Sequence, residues 1–141
     1  MRGTAKLTLV DSQLWGASGD LLITRGGDLA LSYSNIGADP GTTDTTHCQL
    51  HFNRGTGNIK INNSNINGAP YGFMFYGGVN ADLKNNNWYD NAIDVATQMG
   101  SPVSADFSGS YFDGGAPTAA TGSTFTLGTL SQTKLTAGPR P

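Results

Sequence analysis

Short stretches of the chain alternate apolar and polar residues, and five of these stretches can be aligned with one another. Alternation with a period of two is typical of β-strands that bury one face. No stretch of useful length has the periodicity of an amphipathic helix. The five aligned segments are LTLVDSQLWG (7–16), LALSYSNIGA (29–38), IKINNSNING (59–68), ADLKNNNWYD (81–90) and ADFSGSYFDG (105–114).

The alignment places large apolar side chains at the third and eighth positions and a small polar side chain at the sixth. The third position is Leu9, Leu31, Ile61, Leu83 and Phe107, the sixth is Ser12, Ser34, Ser64, Asn86 and Ser110, and the eighth is Leu14, Ile36, Ile66, Trp88 and Phe112. The segments start 22, 30, 22 and 24 residues apart. That spacing is typical of one coil of a β-solenoid.

A second set of segments lies between the first and also alternates, with each member ending in glycine. These are DLLITRGG (20–27), QLHFNRGTG (49–57), GFMFYGG (72–78) and AIDVATQMG (92–100). We interpret them as a second strand in each coil that ends in a tight turn. The sequence therefore predicts an all-β fold, a parallel β-helix of about five coils over residues 4–115. The crossover rule for parallel strands makes it right-handed.

Asparagines recur at the seventh position of the repeat. Asn35, Asn65 and Asn87 occupy it, with Gln13 as a variant in the first segment. In stacked coils, equivalent residues lie about 4.8 Å apart. Identical amides at that spacing hydrogen-bond to one another along the axis. We therefore expect an amide ladder on this column.

The stretches IKINNSNINGAPYGFMFYGG and ADLKNNNWYDNAIDV resemble coils of the right-handed parallel β-helix repeat family. This is the pectate-lyase-like superfamily of secreted bacterial proteins, which includes pectate lyases and polygalacturonases. The resemblance covers roughly residues 7 to 115. It implies extracellular polysaccharide chemistry or adhesion, without deciding between the two.

Composition and charge narrow the classes of function. Only 13% of the 141 residues are charged and 20 are glycine, so the surface must consist of Asn, Ser, Thr and Gly, as is typical of a secreted or cell-surface protein. We expect no export signal within this chain. The net charge is −2 and no run of Lys or Arg occurs, so we expect no nucleic acid as partner. We also expect no membrane span and no cofactor.

The two ends of the predicted solenoid differ. Residues 116–141 break the repeat, and we expect a C-terminal cap or tail that is partly disordered. The first coil has no comparable cover. Because natural solenoids blunt such an end, another chain, a missing domain or a second copy must cover it. Self-association through the coil ends follows as an expectation.

The segment His47-Cys48-Gln49-Leu50-His51 has residue types found in metal and nucleophile sites. In a strand, residues four apart lie on one face but about 13 Å from each other, and Cys48 points to the opposite face. One metal ion at 2.0–2.3 Å from its ligands cannot reach all three. We interpret the segment as a buried free thiol between two surface imidazoles.

A charged column is the strongest candidate for ligand binding. Asp82 and Asp106 occupy equivalent positions in adjacent coils, Lys60 lies beneath them, and Lys84 is two residues from Asp82. The column is either an axial charge ladder or a weak cation or sugar site. Tyr89 is expected outside, where its ring could stack on a sugar.

Two hypotheses about function remain. The favoured one is a non-catalytic extracellular β-solenoid with a structural or adhesive role, self-associating end to end into oligomers or filaments. The alternative is a carbohydrate-binding or polysaccharide lyase or hydrolase module. We assign no catalytic and no metal residues, since neither the paired aspartates nor the basic residues of those enzymes occur together. A concave acidic cleft on coils three to five would favour the alternative, and a flat neutral sheet would oppose it.

Overall fold

The structure is a computed structural model that describes residues 1–37, 46–53, 56–97 and 102–141. In these ranges the chain is all β, without a helix, and every strand pair is parallel. The strands stack as a β-solenoid of about five turns, which confirms the predicted fold class. No helix within the described ranges is long and apolar enough to span a membrane.

The strands form three faces, which we call A, B and C; the first four coils contribute to all three, and the fifth contributes to A and B. Face A contains β1 (Arg2–Val10), residues 27–32 of β3 (Asp20–Ser32), β6 (Thr56–Asn62), β9 (Val79–Asp82), β12 (Val103–Asp106) and β14 (Thr124–Thr126). Face B contains β2 (Gln13–Leu14), β4 (Asn35–Gly37), β7 (Asn65–Asn67), β10 (Asn87–Tyr89) and β13 (Tyr111–Phe112). Face C contains residues 20–24 of β3, then β5 (Cys48–Asn53), β8 (Tyr71–Tyr76) and β11 (Ile93–Thr97).

The strand register matches the sequence alignment. On face A, Leu9 pairs with Leu31, and Leu31 pairs with Ile61. On face B the pairing runs from the first coil to the fifth through the eighth position of the repeat: Leu14, Ile36, Ile66, Trp88 and Phe112. The repeat therefore identifies the residues that stack on one another.

The number of strands per coil differs from the prediction. Two strands were expected, but each ten-residue segment bends in its middle and supplies one strand to face A and another to face B. The bend is the fifth position, which has a positive φ in every coil: Asp11 (49°), Tyr33 (50°), Asn63 (52°), Asn85 (57°) and Gly109 (76°). Asn, Asp and Gly tolerate this conformation, and Tyr33 is the exception.

The side chain at the sixth position accepts a hydrogen bond from the backbone amide at the same position of the preceding coil, directly after the bend. The amide of Ser34 donates to Ser64 Oγ (3.1 Å), and the amide of Ser64 donates to Asn86 Oδ1 (3.0 Å). The same bond links Ser12 to Ser34 and Asn86 to Ser110. A small side chain with an acceptor oxygen is needed here because these amides are otherwise buried without a partner.

The core lies inside the coils and becomes aromatic toward the C-terminal end. The Trp88 ring contacts Phe73 (4.6 Å between centroids) and stacks on Phe112 (5.4 Å, 9° between planes). Phe107 contacts both Trp88 and Phe112. Trp88, Phe73 and Phe107 are fully buried. Parallel coils thus align large rings in edge and stacked contacts that add to the energy of burial.

The amide ladder exists in part. Asn87 Nδ2 donates to Asn65 Oδ1 (2.8 Å), as the repeat predicted. Asn35 instead accepts a hydrogen bond from Asn67 Nδ2 (3.1 Å), which lies two residues beyond its expected partner. Outward-facing amides on a short strand have several partners in reach, so register alone does not fix their pairing.

The C-terminal segment first extends the solenoid and then returns along it. Residues 124–126 form β14, which pairs with β12. Residues 131–140, which we call the strap, run from the fifth coil back to the first along the edge between faces A and B. Arg140 at its far end binds Asp11 of the first coil (Nη2 to Oδ2, 2.7 Å).

Candidate functional site

The charged column predicted from the repeat is present on face A. Lys60, Asp82 and Asp106 are directly paired on β6, β9 and β12. Lys84 Nζ lies 3.1 Å from Asp106 Oδ2 and 3.8 Å from Asp82 Oδ1. One ammonium group therefore holds two stacked carboxylates that would otherwise repel each other.

These residues line a shallow depression of about 540 Å³ on the outer surface. Two lysines and two aspartates share it, so its formal charge is balanced. Asparagine, serine and threonine complete the polar lining. The depression joins the third to the fifth coil. Its lining includes Asn58, Lys60, Asn80, Asp82, Lys84, Ser104, Asp106 and Thr126.

Hydrogen bonding holds Asp106 in its charged form. Ser108 donates to Asp106 Oδ1 from its hydroxyl (2.6 Å) and from its backbone amide (3.0 Å). The hydroxyl of Ser108, and after it Lys84, lower the pKa of Asp106. The pKa of Lys84 is raised in turn, first by its hydrogen bond to Asp106 and then by the charge of Asp82. This site is suited to binding a polar ligand, and an aspartate that stays ionised is unsuited to donating a proton.

Tyr89 lies apart from this depression. It belongs to β10 on face B, and Lys134 Nζ of the strap lies 3.2 Å from the centroid of its ring. Burial, and then the charge of Asp90, raise the pKa of Tyr89. The structure therefore brings together Lys60, Asp82, Lys84 and Asp106, whereas one face of the Tyr89 ring is covered.

The two histidines make contacts that the sequence did not predict. Asp20 on β3 pairs in register with Cys48, which places its carboxylate between His47 and His51. His47 Nδ1 lies 3.1 Å from Asp20 Oδ1, and His51 Nδ1 lies 2.7 Å from Asp20 Oδ2. Aligning segments 20–27 and 49–57 from their first residues sets Asp20 beside Gln49, one residue away from the observed partner, so the sequence alignment did not indicate this contact. No group of three potential ligands within the described ranges is arranged to hold a metal ion.

Cys48 is a buried free thiol, as the sequence predicted. Its Sγ lies 3.0 Å from the carbonyl oxygen of Leu50, to which it donates. Burial, with a smaller contribution from the charge of Asp20, raises the pKa of Cys48 to about 12. The thiol therefore stays protonated, and a protonated thiol is a poor nucleophile.

The first coil leaves apolar side chains incompletely covered. Leu7 and Leu9 point inward but are only partly buried, whereas Leu29 and Leu31 at the same positions of the second coil are 1% exposed. Trp15, which follows β2, is 54% exposed. Within the described ranges, β1 and β2 each pair on one side only, with β3 and β4. This end combines apolar surface with free strand edges.

The last coil is covered more fully. The Phe125 ring packs edge-on against Phe107 at 5.1 Å between centroids, and Leu127 and Leu130 also pack on the core.

Face C ends at β11, where Asp94 accepts a hydrogen bond from Asn91 Nδ2 (2.9 Å). Burial raises the pKa of Asp94 to about 6.

No protein-family model, no curated protein and no solved structure matches this chain at a significant level. The fold therefore defines the class. The described residues form a parallel β-solenoid of about five turns, consistent with a β-helix repeat fold.

Proposed function

We propose that this chain is a non-catalytic extracellular β-solenoid with a structural or adhesive role, which self-associates end to end through its coil ends into oligomers or filaments. Membership of the right-handed, pectate-lyase-like superfamily and a location outside the cell or on its surface belong to the same proposal. The low charge content, 13%, and a surface built of small polar residues support it.

The partial exposure of the first coil is the observation that carries this proposal. Leu7 and Leu9 belong to columns whose members in the next two coils are fully buried. Covering them with another coil would remove apolar surface from water at about 25 cal/mol per Å². The same contact would give partners to the free edges of β1 and β2, which is how exposed strand edges recruit further chains.

Light scattering across a wide concentration range tests this proposal, with electron microscopy of the same samples. We expect the mass of the wild-type chain to rise with concentration, and Leu9→Lys to stay monomeric because it places a charge in the contact. Thr8→Lys is the matched control, since it adds the same charge one residue away on the exposed side of β1. A wild-type chain that stays monomeric at all concentrations would contradict the proposal.

A second candidate function is carbohydrate binding at the face A depression. The observation that favours it is the meeting of four residues, Lys60, Asp82, Lys84 and Asp106, in one open polar site. Charged and amide side chains of this kind hydrogen-bond sugar hydroxyl and carboxylate groups. Calorimetry with a panel of neutral and acidic polysaccharides is the test. We expect Lys84→Ala to weaken binding and Lys6→Ala, on the first coil, to leave it unchanged.

A further inference from the structure

The strap lies on a continuous line of polar groups at the edge between faces A and B. The amide of Ser131 bonds to the carbonyl of Ser110 in the fifth coil (2.9 Å). The amide of Gly138 bonds to the carbonyl of Asn63 in the third coil (2.9 Å). The strap therefore crosses every coil, and the bends of the repeat supply its binding partners.

Two asparagine side chains recognise the backbone of the strap. Leu135 donates its amide to Asn87 Oδ1 (2.7 Å), and Asn87 Nδ2 donates back to the carbonyl of Leu135 (2.9 Å). Asn65 Nδ2 donates to the carbonyl of Ala137, two residues further on (3.2 Å). Both asparagines therefore bind backbone groups, two residues apart along the strap. These bonds do not depend on side-chain identity in the strap.

Two cations secure the strap at separate coils. Lys134 covers the ring of Tyr89 in the fourth coil. Arg140 lies 4.0 Å from the ring centroid of Tyr33 in the second coil. It also forms two parallel bonds with Asp11 in the first coil (Nε to Oδ1, 2.8 Å, and Nη2 to Oδ2, 2.7 Å). These contacts require a basic residue at each position, so the surface selects by charge as well as by backbone.

We propose that the edge between faces A and B is a binding surface for a peptide with spaced basic residues, and that its partner is the strap of a second copy. Exchange of straps between two copies preserves every contact, because each bond to Asn65, Asn87 and Asp11 forms equally well between chains. The proposal is independent of the contact between coil ends.

The connection to the strap favours release. Residues 127–130, which join β14 to the strap, form no strand, and Gly128 adopts a positive φ of 52°. The strap itself buries little apolar surface, since Leu135 is only half-buried and Arg140 is exposed. Its polar bonds can be exchanged for water with small net loss. The strap can therefore detach while the coils keep their core.

A labelled peptide of residues 129–141, TLSQTKLTAGPRP, tests the proposal when it is added to the full-length chain and followed by fluorescence anisotropy. We expect the Arg140→Ala chain to bind it about tenfold more tightly than the wild-type chain, because the attached strap competes less well. Arg25→Ala is the matched control and should behave like the wild type. A peptide with alanine in place of its arginine should bind the Arg140→Ala chain about tenfold more weakly.

Two chain variants locate the site. Combined with Arg140→Ala, Asp11→Asn removes the charge that holds the arginine and keeps a residue that tolerates the positive φ. Asn87→Ala removes the paired amide contact, and circular dichroism establishes that the variant folds. We expect both to weaken peptide binding. The proposal is wrong if the Arg140→Ala chain binds no peptide, binds it no better than the wild type, or binds it equally well after Asp11→Asn.

Discussion

The first and last coils are built from the same repeat, yet their apolar side chains differ in exposure to solvent. At the third position, Leu9 in the first coil is partly exposed, whereas Phe107 in the fifth is fully buried under Phe125. The difference does not come from the repeat, which is apolar at this position in both coils. It comes from residues 124–130, which lie over the fifth coil and have no counterpart over the first among the residues that the structure describes. The exposure of core side chains at a solenoid end therefore depends on the residues that cover that end.

Substitution at the third position of the repeat should show the largest difference between the end and the interior. Leu83→Ala removes a fully buried side chain and should lower the free energy of unfolding by about 2–5 kcal/mol. Leu9→Ala makes the same chemical change at the partly exposed end and should cost about 1 kcal/mol in the monomer. Urea unfolding at low concentration measures both. Equal losses would show that the first coil is as well covered as the fourth.

Removal of the cover should make the last coil resemble the first. Phe125→Ala takes away the ring that packs on Phe107, and we expect a loss of about 2 kcal/mol, less than for a fully buried phenylalanine. Thr124→Ala, next to it on the exposed side of β14, is the control and should be nearly neutral. Thermal unfolding followed by circular dichroism compares them. A neutral Phe125→Ala would contradict the capping role.

Substitutions at the sixth position of the repeat should show a smaller difference in stability between the first coil and the interior. Ser64→Ala leaves the buried amide of Ser34 without an acceptor and should cost about 1–2 kcal/mol. Ser12→Ala at the open end should cost less than about 0.5 kcal/mol, because the described residues place no coil beneath it and its own hydroxyl bonds only to Val10. Urea unfolding reports both, and a Ser12→Ala loss as large as that of Ser64→Ala would oppose this account.

The free energy of unfolding should depend on pH through Asp94, which lies in β11, the last strand of face C. Its pKa of about 6 lies above the ordinary value of 3.8, so the folded state keeps this proton longer than the unfolded state. The contribution of Asp94 to stability therefore falls as the pH rises from about 4 to about 6, and is constant above that.

Asp94→Asn should remove this loss. The amide oxygen still accepts the hydrogen bond from Asn91, and we expect a gain of about 1 kcal/mol at pH 7 with no gain at pH 3. Chemical unfolding at the two pH values measures the difference. The same substitution at Asp90, which is exposed and has a positive φ that asparagine tolerates, is the control. A gain of equal size at both pH values would show that burial of the carboxylate charge is not its cause.

The repeat made much of this fold predictable. Column positions such as Leu31 and Ile61 identified their stacking partners, because parallel coils in register place equivalent residues one strand spacing apart. The charged column followed for the same reason, as Lys60, Asp82 and Asp106 occupy one position of the repeat. A repeated sequence therefore predicts the strand register, and the register determines which side chains stack on one another.

Contacts outside the repeat were not predictable in the same way. The strap has no repeat of its own, so nothing in its sequence indicated that Arg140 would bind Asp11, 129 residues away. The bend at the fifth position was hidden because four residue types occupy it, and they share a backbone conformation and not a chemical property. The bond between Asp20 and the histidines required the alignment of face C strands, whose segments are less alike.

Amide hydrogen exchange at two protein concentrations tests the central claim most directly, because it locates the contact as well as detecting it. The account predicts that exchange in β1 and β2 slows as the concentration rises, while exchange in the central strands β6 and β7 is unchanged. If β1 exchanges at the same rate at both concentrations, the first coil is not the surface through which this solenoid associates.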